Sequence, residues 1–159
     1  MGDSGELRTS VPLPGRARDV VVSGVPVRIW GLALACCAVE AGEGLAQLEA
    51  AGDSAQPPGR SATSPRLHLL LIAGTVTPAL LPQVRTAWQA LPEPRTAVAF
   101  GACTLSGGPY WDSYAVVPGV LDEFPGAVAV PGCPPRADQV LAAVRTAVRA
   151  WQESTRAAL

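Results

Sequence analysis

At 159 residues the chain has the size of one ordinary domain, able to bury roughly two thirds of its extended-chain surface, so a single core is expected. Twelve Lys and Arg against thirteen Asp and Glu leave a formal net charge of -1, and no aromatic residues are interleaved with a dense basic patch, which argues against nucleic-acid binding. The longest apolar stretch of the first third, residues 29–39, has 11 residues against about 20 for a membrane-crossing helix, and no signal-peptide pattern opens the chain; a cytosolic or membrane-peripheral protein is expected.

Residues 1–24 mix charges, Gly and Pro and read as an N-terminal arm, with Asp19-Val20-Val21-Val22 open between an edge strand and part of that arm. Residues 25–34 read as a first strand that delivers Cys36 and Cys37 at its end. Residues 39–50, rich in Ala, Leu and Glu, predict a helix. Residues 51–65 are Gly, Ser and Pro rich, which is loop chemistry. The run Leu67-His68-Leu69-Leu70-Leu71-Ile72-Ala73 is nearly continuous in apolar side chains and short, as in a strand covered on both faces.

Pro82 opens a helix through Val84, Trp88 and Leu91, since its missing amide is harmless in a first turn. Residues 95–100 and 127–130 read as two further strands. From Arg136 onward Val140, Leu141, Val144, Val148 and Trp151 recur at three and four residues, predicting an amphipathic helix. Strands alternating with helices predict a single α/β domain over 25–159, built on a parallel sheet with helices on both faces, whose ligand sites lie beyond the carboxyl ends of the strands.

Cys36, Cys37, Cys103 and Cys133 all follow predicted strands, so the sheet would gather them at one edge. Four thiolates meet the ligand demand of one [4Fe-4S] cluster, and adjacent cysteines seldom suit a disulfide framework. Three other readings stay open: buried cysteine as a small hydrophobe, structural zinc without its usual C-x₂₋₄-C pairs, and a cysteine hydrolase whose imidazole would have to come from His68, the only histidine. Glu40 is either a proton-coupled group beside a cluster or a carboxylate favoured at a helix N-terminus. Tyr110 and Tyr114 either line a redox-partner side or pack; Arg66 and Arg95 either pair with a neighbouring protein or close strand ends; Trp88 and Trp151 read as core or as an interface with another chain.

The ordered blocks GLALACCAVE at 31–40, SPR at 64–66, IAGTVT at 72–77, LPEPR at 91–95, FGACTLSGGPYWDSYAVVPG at 100–119 and VPGCPPRADQVL at 130–141 make the chain resemble the 20 kDa-type iron-sulfur subunit of NADH:quinone oxidoreductase, respiratory complex I. The resemblance implies a flavodoxin-like fold, as in the small subunit of [NiFe] hydrogenases. It implies ligation of one [4Fe-4S] cluster by Cys36, Cys37, Cys103 and Cys133, and electron transfer toward quinone in a complex whose other members hold NADH, complete the quinone site and span the membrane. It further implies a peripheral position at the cytoplasmic side of the cell membrane.

The runner-up readings are a small subunit of a membrane-bound [NiFe] hydrogenase-like complex, disfavoured by the adjacent cysteine pair, and a cluster-free structural paralogue. Two departures stand out. Ala41 and Gly42 replace a methionine pair common in the family, and residues 51–63 replace an aromatic and basic segment associated with the quinone approach.

Overall fold

A computed structural model describes residues 17–51 and 67–158. The arm at residues 1–16, most of the 51–65 loop and Arg66 lie outside these described residues. Five strands form one sheet in the order β1 (Arg18–Val22), β2 (Val25–Ala33), β3 (Leu67–Ala73), β4 (Arg95–Phe100) and β5 (Val128–Val130). Helices α1 (Cys37–Ala50), α2 (Leu81–Ala90), the short α3 (Ala102–Ser106) and α4 (Asp138–Ala157) connect or follow the strands.

The side-chain alternation of the strands sorts the core into two layers. Along β3, Leu67, Leu69 and Leu71 join Val27, Ile29, Val98 and Phe100 on one face, where Leu45 and Leu48 of α1 and Val140, Val144 and Val148 of α4 cover them. Leu70 and Ile72 point the other way, with Ala97, against Val84 and Ala87 of α2 and against Val120 and Phe124. Both faces of β3 are therefore dry, which is why its sequence is an almost unbroken apolar run. Burying each such side chain is worth about 1.5–3 kcal/mol. Trp88 packs edge-on to Phe124 in the second layer, with ring centroids 5.3 Å apart, and Trp151 lies against the first.

The expectation of a parallel, flavodoxin-like sheet needs correction: the α/β layers are present, with helices on both faces, but the sheet is mixed. β2 through β5 are parallel to their neighbours, whereas β1 runs antiparallel to β2 in the register Val22↔Val25 to Arg18↔Ile29. The physical reason is chain length. Only Ser23 and Gly24, both at positive φ, separate the two strands, and a two-residue turn joins antiparallel neighbours, whereas a parallel crossover needs a dozen residues or more. Asp19–Val22 is thus part of an edge strand, and Arg28 reaches across the hairpin to hold Asp19 at 2.7–2.8 Å. α1 begins at Cys37, two residues before the predicted start, so the second cysteine is already helical. α3 and two single 3₁₀ turns, Gly108–Tyr110 and Leu121–Glu123, carry no periodic pattern in sequence.

Candidate functional site

The carboxyl ends of β2, β3, β4 and β5 open on one edge, and the four cysteines are delivered there by three separate connections. Cys36 and Cys37 sit at the start of α1, Cys103 in the first turn of α3, and Cys133 after β5. The connections are tied by backbone. Leu34 N–H donates to Ala73 O at 2.9 Å, Gly101 N–H to Val130 O at 2.8 Å, and Ala102 N–H to Gly132 O at 2.7 Å. The last of these locks the helix carrying Cys103 to the loop carrying Cys133.

Close approach depends on glycine at Gly101, whose φ of +105° is strained for any side chain, and whose absent Cβ would lie 2.5 Å from the Cys37 Sγ. The thiol of one helix therefore rests on the backbone of the next connection. Thr104, fully buried, ties the third: its hydroxyl accepts from Gly74 N–H at 3.1 Å and donates to Gly74 O at 2.8 Å. A hydroxyl that satisfies two backbone groups in a dry interior fixes the end of β3 against α3. Thr104 did not stand out in sequence, where a lone threonine after a cysteine has no periodicity to mark it.

Cys37 and Cys103 are buried; Cys36 and Cys133 are exposed. Burial, then the neighbouring Cys36, with smaller contributions from Cys103 and Cys133, pushes the Cys37 thiol up to about 11, so it is protonated at neutral pH. Its field thus registers all three other cysteines, which lie along the same carboxyl edge of the sheet. Their arrangement does not fit the expected cofactor. Among the described residues, no group of three or more His, Cys, Asp or Glu side chains is placed to hold a metal ion.

This overturns the expectation of one [4Fe-4S] cluster on Cys36, Cys37, Cys103 and Cys133, and with it the iron-sulfur and metal-binding character and the cluster-borne transfer of electrons toward quinone. Arrival of four thiols at one edge is a weaker condition than ligation, which needs the sulfurs turned toward one centre.

The other expected residues sort plainly. Glu40 lies in the first turn of α1, where a carboxylate complements the helix dipole. Arg95 closes the opposite, amino edge: its Nη1 donates to the carbonyls of Trp88 at 2.9 Å and Leu91 at 3.2 Å, its Nε pairs with Glu93 at 2.8 Å, and its guanidinium stacks 4.7 Å from the centre of the Trp88 ring. That is a cap on the last turn of α2. His68 is half-buried within β3, away from the carboxyl edge. Tyr110 and Tyr114 do not pack; both are exposed. Ala41 and Gly42, with Gly31, Ala33, Ala38 and Leu45, line a cleft of about 170 Å³ between β2 and α1, room left by small side chains.

Comparison with known proteins is consistent along most of the chain. Residues 33–147 match the family described as NADH ubiquinone oxidoreductase, 20 Kd subunit. The second B-type subunit of the NADH-quinone oxidoreductase of Streptomyces griseus subsp. griseus is 40% identical over 115 residues, 71% of this chain and 48% of that protein. The first B-type subunit of the same enzyme in Roseiflexus sp. is 43% identical over 122 residues, 74% of this chain and 44% of that protein. The chain thus spans about half the length of these curated relatives. A chain of the membrane-bound sulfane sulfur reductase, an archaeal respiratory membrane complex, is 33% identical and aligns over 54% of this chain and 46% of its own, with a TM-score of 0.43.

Proposed function

The chain belongs to the family of the 20 kDa subunit of NADH ubiquinone oxidoreductase, and on that footing we propose that it is a non-catalytic subunit of an NADH:quinone oxidoreductase-type electron-transfer complex. It keeps the fold of the electron-carrying subunit and its place between partners, while Cys36, Cys37, Cys103 and Cys133 serve as packing at the carboxyl edge of the sheet. The observation that supports this reading is a family match across residues 33–147 combined with thiols that meet without forming a metal-holding group among the described residues.

Partner subunits, one of them completing a quinone site, attach it peripherally at the cytoplasmic side of a membrane. Among the described residues no helix is long and apolar enough to cross a bilayer, so in this reading the attachment runs through protein contacts.

The test is iron and acid-labile sulfide content, with low-temperature electron paramagnetic resonance, on the dithionite-reduced protein. It is taken both after anaerobic reconstitution and within the native assembly. A folded, colourless chain without stoichiometric iron that still co-purifies with quinone-reducing subunits is the expected result. About four irons and four sulfides per chain with a cubane signal would restore the cluster and sink the structural reading.

A further inference from the structure

Among the described residues four large apolar side chains are left exposed, and three of them, Tyr110, Trp111 and Tyr114, stand within five residues of the connection between α3 and β5. Trp111 is 69% and Tyr114 98% exposed, although most Trp and Tyr in folded proteins bury the bulk of their ring. The backbone beneath them is not loose. Tyr110 N–H donates to Gly107 O at 3.1 Å, Ser113 N–H to Tyr110 O at 3.0 Å, Val116 N–H to Ser113 O at 3.1 Å, and Val117 N–H to Val76 O at 2.9 Å. These turns hold the rings outward, so little ordering entropy remains to be lost on association.

Charge narrows the occupant. Asp112 is the only charged residue between 107 and 120; it is exposed and has no ion-pair or hydrogen-bond partner among the described residues. A lone carboxylate among aromatic rings is repelled by an anionic leaflet, and the stretch holds no cation to offset it, so a lipid surface is the poorer fit. An arginine suits both features at once: its planar fork pairs with the Asp112 carboxylate while its face stacks on an adjacent ring.

Resting on the assignment above, we propose that Tyr110, Trp111 and Tyr114 with Asp112 form the contact surface for a neighbouring protein of the complex, which presents an arginine to Asp112 and an apolar pocket to the rings. The surface follows directly on the helix carrying Cys103, so the partner sits beside the carboxyl edge of the sheet.

The experiment uses the full chain in its native assembly. A photo-crosslinking benzoylphenylalanine replaces Tyr114 and, as a control, Arg149 on α4. The expected product from position 114 joins one partner segment that contains an arginine, and position 149 does not give it. Trp111→Ala and Asp112→Arg each lower retention of the chain in the assembly by about 10-fold or more, the loss typical of a hot-spot residue. Reversing the crosslinked arginine to Glu restores Asp112→Arg. Because these side chains are exposed, thermal unfolding of the isolated variants should match wild type.

Full retention of both variants, or crosslinks from position 114 only to lipid or to a second copy of the chain, overturns the surface while leaving the assignment to the complex intact. Failure of the wild-type chain to appear in any quinone-reducing assembly overturns both.

Discussion

The two ends of the sheet are built on opposite principles. At the carboxyl end three connections meet by the absence of side chains: Gly101 leaves no space over the Cys37 Sγ, and the buried Thr104 hydroxyl stitches Gly74 to α3. At the amino end one long cationic side chain, Arg95, closes the last turn of α2 by reaching the carbonyls of Trp88, Gln89 and Leu91 and the Glu93 carboxylate. A contact made by exclusion tolerates no added atom, whereas a contact made by reach loses only what that one side chain supplies. The fold is therefore brittle at the end where the thiols gather.

Gly101→Ala puts this contrast under the greatest load. The added methyl would meet Cys37 Sγ at 2.5 Å on a backbone at φ +105°, so a loss of about 3 kcal/mol or more is expected, enough to leave a marginal domain partly unfolded. Urea denaturation followed by circular dichroism measures it; an unchanged midpoint would mean that Cys37 does not press on the Gly101 backbone.

A matched pair of substitutions then sets the two ends side by side. Thr104→Val keeps the shape but leaves Gly74 N–H buried without its acceptor, costing about 2 kcal/mol and raising hydrogen exchange at the Gly74 amide. Arg95→Gln removes the cap and the stacking on Trp88 at a partly solvated site, costing about 1 kcal/mol. If the amino-end change proved the costlier, the contrast would be reversed.

A pH dependence probes the carboxyl end alone. The Cys37 thiol is pushed up to about 11 from an ordinary 9.0, so on raising the pH the unfolded chain releases this proton first. Between pH 9 and 11 the unfolded state then binds fewer protons than the folded one, and the contribution of Cys37, fully present below pH 9, is lost as the pH rises through that window. Denaturant midpoints across this range should fall more steeply for wild type than for Cys37→Ala; parallel curves would place Cys37 in water.

Local patterns were legible where one force dominates. The apolar run at 67–73 specified β3 to the residue, because a strand covered on both faces has no other way to be written. The four-residue spacing of Val140, Val144 and Val148 fixed the buried face of α4. Pro82 marked the first turn of α2. The direction of β1 was not read, although Ser23-Gly24 is a two-residue turn signal, because alternation of strands and helices pointed to an all-parallel sheet.

Hydrophobic period and chain order are written residue by residue, and from them came the sheet with its covering helices and the arrival of Cys36, Cys37, Cys103 and Cys133 at one edge, while the ordered sequence blocks from 31–40 to 130–141 carried the resemblance to the family. How those thiols stand once they arrive emerged from the packed chain: Cys37 and Cys103 are buried, burial pushes the Cys37 thiol up, and no group of three or more ligating side chains among the described residues is placed to hold a metal. The outward turn of Tyr110, Trp111 and Tyr114 came from the same source. Side-chain direction and burial at a meeting of three connections depend on neighbours distant in the chain, and no local pattern encodes them.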